Sequence, residues 1–187
     1  MTDRILTIPN ILTLSRMVLA PLVALCLVRQ EFDWALWGLL TAGVTDGLDG
    51  FIAKWFNQSS RLGAILDPVA DKFLMLATVL ALTWTGLLPL WVTIPIILRD
   101  VVIFGGALVY YRMAGALEMS PTLFSKANTC AQITLLLLVV VIHAELLPFD
   151  RLLSPAFMVV LITTVASGVQ YVVIWGRKAA RLGGDAC

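Results

Sequence analysis

Six stretches of this 187-residue chain are mostly apolar over the ~20 residues that a helix needs to cross the hydrocarbon of a bilayer. They run about 10–28, 33–56, 67–87, 90–112, 122–144 and 153–176. No other feature limits the fold as much. In lipid every backbone N–H and C=O must be satisfied internally, so apolar runs of this length must be helices. The composition agrees: 60% of the residues are hydrophobic and only 13% are charged, too few charges to coat a soluble domain of this size. The connections are short, and no linker, repeat or low-complexity tract divides the chain. The expected fold is all-α: one domain over residues 1–187, an integral membrane bundle of six transmembrane helices. Pro9, Pro89, Pro121 and Pro155 fall near segment starts, where a missing N–H is tolerated. Pro21 and Pro95 fall inside segments, where a kink is expected.

Charge sets the orientation. Six spans put both termini on one side, together with Arg4, Lys54, Arg61, Lys72, Arg112, Lys126, Arg177, Lys178 and Arg181; the other side carries Arg29 and Arg151. Nine cations against two, omitting Arg16 and Arg99 inside segments, place both termini in the cytoplasm. Asn10, Thr13, Ser15 and Arg16 interrupt the first apolar stretch, so it does not read as a cleaved signal, and no Arg- and Ser-rich transit leader precedes it. A multi-pass protein of a bacterial inner membrane is the expectation. Trp34, Trp37, Trp55, Trp91 and Trp175 near segment ends read as interfacial anchors. A net charge of +1 argues against nucleic acid as a partner. Cys26, Cys130 and Cys187 have neither metal-ligand nor disulfide spacing and read as two small core residues and a tail thiol.

Against this background, residues 46–71 stand out: DGLDGFIAKWFNQSSRLGAILDPVAD. Asp46 and Asp49 are three apart and Asp67 and Asp71 four apart, so each pair shares one helix face. Carboxylates in a bilayer cost several kcal/mol unless neutralised and mark function. A turn between the second and third segments could bring the pairs around one cavity. Hard oxygen donors without His or Cys favour Mg2+ or Mn2+ over zinc, and two such ions about 3.5–4 Å apart suit the cleavage of phosphate bonds. Gly47, Gly50 and Gly63 permit close approach of a phosphate or nucleotide, and Lys54 can supply a positive charge to it. Helix capping is the competing account: Asp67 before Pro68 has the look of an N-cap with Pro at N1. It does not explain Asp46 and Asp49 within a span.

The same stretch resembles the signature of the CDP-alcohol phosphatidyltransferases, D-x-x-D-G-x-x-A-R, eight residues, G-x-x-x-D-x-x-x-D. Asp46, Asp49, Gly50, Ala53, Gly63, Asp67 and Asp71 all fit its spacing, and Lys54 stands where the family has arginine, keeping the charge but losing the bidentate fork. The opening IPNILTLSR is similar to the family's first helix. The resemblance implies that Asp46, Asp49 and Asp67 bind metal. It implies that Asp71 both binds metal and takes the proton from an acceptor hydroxyl. It further implies that Asn10, Thr13 and Ser60 contact the CDP-lipid, CDP-diacylglycerol, and that the protein is a homodimer.

The acceptor is read from the second half. SPTLFSKANTCAQI (120–133), LRDVVIFGGALVYYR (98–112) and residues 163–181 resemble the CMP-forming cardiolipin synthase branch of the family. That implies phosphatidylglycerol as acceptor, with cardiolipin and CMP as products. Phosphatidylglycerophosphate synthases, which use glycerol 3-phosphate, tend to have Arg-Glu at Arg99–Asp100 and a second lysine at Asn128. A dianionic acceptor calls for several cations. Ser125, Asn128 and Gln132 instead give a polar face, with Lys126 nearby. Hydrogen bonding between helices is the other use for Asn128 and Gln132. Arg99 either contacts acceptor phosphate or neutralises an aspartate. Being adjacent, Arg99 and Asp100 are each expected to pair across helices. Lys72 reads as a snorkelling side chain or a phosphate contact, His143 as an interfacial residue, and Arg177, Lys178 and Arg181 as lipid-headgroup contacts. A divalent-cation transporter using the aspartates as a permeation site is the alternative of another class. The absence of a polar set on the opposite side argues against it.

Overall fold

The computed structural model describes the backbone of residues 8–55, 61–114 and 123–184, and the side chains of residues 13–45, 69–106 and 123–176. Six α-helices account for nearly all of it: α1 (Ile8–Val28), α2 (Phe32–Trp55), α3 (Arg61–Trp84), α4 (Leu90–Ala114), α5 (Leu123–His143) and α6 (Leu153–Gly184). A single 3-10 turn at Asp150–Leu152 precedes α6, and no strand occurs among the described residues. The all-helical expectation holds. Two boundaries differ from it. α3 begins at Arg61, so Asp67 lies inside the helix and is not its N-cap. α6 continues past residue 176 to Gly184 and takes in Arg177, Lys178 and Arg181.

Contacts divide the chain into two compact units, Met1–Leu88 with Leu136–Phe149, and Pro89–Leu135 with Asp150–Cys187. In the first unit α1 packs against α3 and α2. The buried stripe of α1 is Thr13, Arg16, Ala20, Val23 and Leu27, a three-and-four spacing that turns one face to its neighbours. Gly38 of α2 lets the helices close, since a Cβ there would stand 2.6 Å from Val23 Cγ2. Three chain reversals share one device. Glu31 N–H reaches Cys26 C=O while Gln30 N–H reaches Leu27; Leu87 and Gly86 do the same to Leu82 and Thr83, and Leu146 and Glu145 to Val141 and Ile142. Each is a Schellman ending with its middle residue left-handed: Gln30 at φ 62°, Gly86 at 78° and Glu145 at 58°.

In the second unit α4 packs against α6. Val92, Ile96, Leu135, Phe157, Val160 and Tyr171 are buried there. Gly106 meets the indole of Trp175, so that a Cβ on Gly106 would lie 2.7 Å from Nε1. Trp175 is therefore packed against α4, one residue before the end of the apolar stretch Asp150–Gly176, within a helix that runs on. Trp34 and Trp37 at the start of α2 are exposed, as anchors should be.

Both units are apolar outside and partly polar inside. Leu14, Val18, Leu22 and Leu25 line the outer face of α1, and Leu98, Val101 and Phe104 that of α4. Thr13, Arg16, Arg99, Asn128, Gln132 and Ser167 are buried. Water would not tolerate that distribution, but lipid does, because helices in lipid associate through close packing and internal hydrogen bonds. Among the described residues two helical stretches are long and apolar enough to cross a membrane, Leu123–His143 and Asp150–Gly176; Thr13–Val28 is a shorter apolar one. Cys130 is exposed, so it is not the core residue expected of it, and Cys26 is half-buried.

Candidate active site

Asp71 is the one of the four aspartates whose side chain is described, and it sits on α3 at a polar end of the first unit. Arg16, on α1 and 55 residues away in sequence, donates from Nη1 to Asp71 Oδ1. The guanidinium is wholly buried and the Asp71 side chain is 48% exposed, so the cation forms the floor and the carboxylate opens outward. Thr13 lies three residues before Arg16 and is buried on the same face. Beyond Arg16 the stripe turns apolar, through Ala20, Val23 and Leu27. Among the described residues of the first unit, Thr13, Arg16 and Asp71 thus form a polar cluster where α1 meets α3.

Asn10, Asp46, Asp49, Gly50, Lys54, Gly63 and Asp67 lie on α1, α2 and α3 by backbone, but their side chains are outside the described residues, and Ser60 is outside them altogether. Among the described residues no group of three or more His, Cys, Asp or Glu gathers to hold a metal ion. Residues 56–60, between the two helices that carry the carboxylates, lie outside the described residues.

The second unit buries a polar network. Arg99 donates from Nη2 to Ser125 Oγ at 2.5 Å and to Ser167 Oγ at 3.3 Å, from Nε to Ser167 Oγ at 3.4 Å, and from Nη1 to Asp100 Oδ1 at 2.7 Å. Arg99 and Asp100 therefore pair with each other, contrary to the expectation from helix geometry. The long guanidinium arm can reach back over the adjacent side chain, whereas the spacing rule concerns Cβ positions. Arg99 also reaches across to α5 and α6, as expected. Further along α5, Gln132 Nε2 donates to Thr164 Oγ1 at 3.2 Å, and Thr164 Oγ1 donates to Asn128 Oδ1 at 2.9 Å. Asn128 and Gln132 thus serve interhelical hydrogen bonding. Lys126, two residues before Asn128, is exposed. His143 belongs to a different region, where its Nδ1 lies 2.7 Å from Val139 O and its ring rests on Phe32 at the start of α2.

Arg16 is the residue that sequence reading missed. It was set aside as a cation inside an apolar segment. Its signal was present: a charged residue in a span requires a partner, and Asp71 was an available carboxylate.

Residues 6–176 match the CDP-alcohol phosphatidyltransferase family. Among curated proteins, a cardiolipin synthase (CMP-forming) of Streptomyces coelicolor is 46% identical over 105 residues, covering 53% of this chain and 49% of its own. A probable cardiolipin synthase (CMP-forming) of Drosophila melanogaster is 40% identical over 147 residues, 70% of this chain and 46% of its own. The human cardiolipin synthase (CMP-forming) is 34% identical over 94% of this chain and 64% of its own. The chain spans about half the length of the first two, at 49% and 46%. With the family match running through both units and the aspartate spacing intact between residues 46 and 71, the chain belongs to the CDP-alcohol phosphatidyltransferases.

Proposed function

We propose that this protein transfers a phosphatidyl group from CDP-diacylglycerol to phosphatidylglycerol, giving cardiolipin and CMP. The observation that carries the reading is the four-aspartate pattern, held on α2 and α3 inside a matched region whose relatives are named cardiolipin synthases. The acceptor hydroxyl oxygen attacks the β-phosphorus of CDP-diacylglycerol. The bridging P–O bond breaks, CMP leaves with that oxygen, and the hydroxyl proton passes to the Asp71 carboxylate. The transfer is direct, so no covalent enzyme intermediate forms. A half-exposed carboxylate held by the buried Arg16 is suited to this role, since the pair sets its orientation while part of it stays accessible.

The donor set fits divalent ions: four carboxylates with no His or Cys, one of them outward-facing. Asp46, Asp49, Asp67 and Asp71 would hold two ions, Mg2+ or Mn2+, which would neutralise the pyrophosphate and the charge developing on CMP. Lys54, Gly50 and Gly63 are assigned to the pyrophosphate, and Asn10, Thr13 and Ser60 to the CDP moiety. Arg99 and Lys126 are assigned to the acceptor headgroup. Support for a monoanionic acceptor comes from the relatives, which are named cardiolipin synthases (CMP-forming).

In this reading residues 1–187 act as one domain of six transmembrane spans. Both termini and the aspartates face the cytoplasm in a bacterial inner membrane, and the protein is a homodimer. Supporting it are the nine-to-two cation asymmetry and the apolar exteriors of both units. The test is to purify the protein in detergent and offer CDP-diacylglycerol, Mn2+ or Mg2+, and both acceptors together. Cardiolipin and CMP are expected. Phosphatidylglycerophosphate as the sole lipid product would reassign the acceptor to glycerol 3-phosphate, and divalent-ion flux in proteoliposomes without CMP would overturn the enzyme reading.

A further inference from the structure

The geometry points to Arg16 as a positioning residue that keeps Asp71 out of full metal coordination and so available to the acceptor's proton. The inference rests on the catalytic reading of Asp71. Two demands meet at that carboxylate: a ligand gives its oxygens to the metal, whereas a base needs an oxygen directed at the substrate. Arg16 settles part of the division. Its Nη1 holds Oδ1, and the guanidinium is locked in place by complete burial on the α1 face that packs on α3. A buried cation beneath Asp71 acts in a second way: it repels a divalent ion approaching that carboxylate and lowers the affinity there.

These two effects predict a result that a purely structural residue would not give. Removing the charge, as in Arg16→Met, removes the repulsion and releases Oδ1 to the metal. Metal binding tightens while proton transfer suffers. A residue that served only to hold α1 on α3 would, when lost, loosen metal binding along with the fold. Lysine retains the charge without the planar fork, so Arg16→Lys should keep the repulsion and lose part of the orientation.

The experiment uses full-length protein in detergent, with Mn2+ titrated in the absence of lipid substrate and free Mn2+ read by electron paramagnetic resonance. CMP release at saturating Mn2+ is measured alongside. In Arg16→Met the half-saturating Mn2+ concentration should fall by about tenfold while CMP release slows by at least about tenfold. Arg16→Lys should bind Mn2+ no more weakly than the wild type and less tightly than Arg16→Met, and release CMP at an intermediate rate. Unchanged or weaker Mn2+ binding in Arg16→Met, or wild-type CMP release, overturns the inference. Should Arg16→Met not fold, Arg16→Lys decides alone: weaker Mn2+ binding or an unchanged rate of CMP release would refute it. A wild-type protein that binds no Mn2+ and releases no CMP would instead sink the catalytic reading, and this inference with it.

Discussion

Arg16 and Asp71 show how one side chain's burial decides what its partner's loss costs. The guanidinium is wholly enclosed while the carboxylate is half in the open. Asp71→Asn therefore leaves a buried cation facing a neutral amide at this contact. Breaking a fully buried pair costs about 3–5 kcal/mol, and the open side of Asp71 reduces that to about 1–3 kcal/mol. Thermal unfolding in detergent should show the loss, together with a fall in CMP release of about 10²–10⁴-fold. An unchanged melting temperature would mean that the pair does not bear on folding. The aspartates were legible because their spacing repeats within 26 residues, from 46 to 71. That Arg16 needs a partner was legible, since a charged residue in a span requires one, but nothing in an apolar run singles out Asp71, 55 positions away, among the four aspartates. The bond between Arg99 and Asp100 was not legible for a related reason, although Arg99 does bond across helices: the spacing rule describes where side chains start, not where a long one ends.

At the scale of helices, hydropathy located every element but not every end. It reads where lipid begins, whereas a helix begins where the backbone first closes its hydrogen bonds. α3 accordingly starts at Arg61, ahead of the apolar stretch that opens near Asp67. Packing between helices is equally invisible to hydropathy, as the two adjacent glycines of α4 show. Gly105 has open space at its Cβ position, while Gly106 would place a Cβ 2.7–2.8 Å from Nε1 and Cδ1 of Trp175 on α6. Gly106→Leu must displace that indole and should destabilise the protein by about 1–3 kcal/mol. Gly105→Leu should stay within about 0.5 kcal/mol of wild type or gain slightly, since leucine is the better helix former. Unfolding in one detergent and lipid mixture compares the two directly, and equal losses would show that α4 and α6 do not meet at Gly106.

For the molecule as a whole the determining property is the inversion of polarity: apolar side chains outside, with Arg16, Arg99, Asn128 and Gln132 within. In water this surface would aggregate, and in lipid it is ordinary. The polar interior then has a direction in the first unit, from Thr13 and Arg16 to the apolar Ala20, Val23 and Leu27 along α1. If cations retained in the cytoplasm set the topology, the Arg16–Asp71 end faces inward and the α1–α2 and α5–α6 turns face out. Glu31 and Phe149 are exposed residues in those two turns, and Asn57 lies in the α2–α3 connection. In a background lacking Cys26, Cys130 and Cys187, single cysteines at Glu31 and Phe149 should react in intact cells with a thiol reagent that cannot cross the membrane. A cysteine at Asn57 should react only after the cells are permeabilised. Labelling of Asn57→Cys from outside would reverse the proposed orientation. Labelling of all three from outside would deny that α2 crosses the membrane at all.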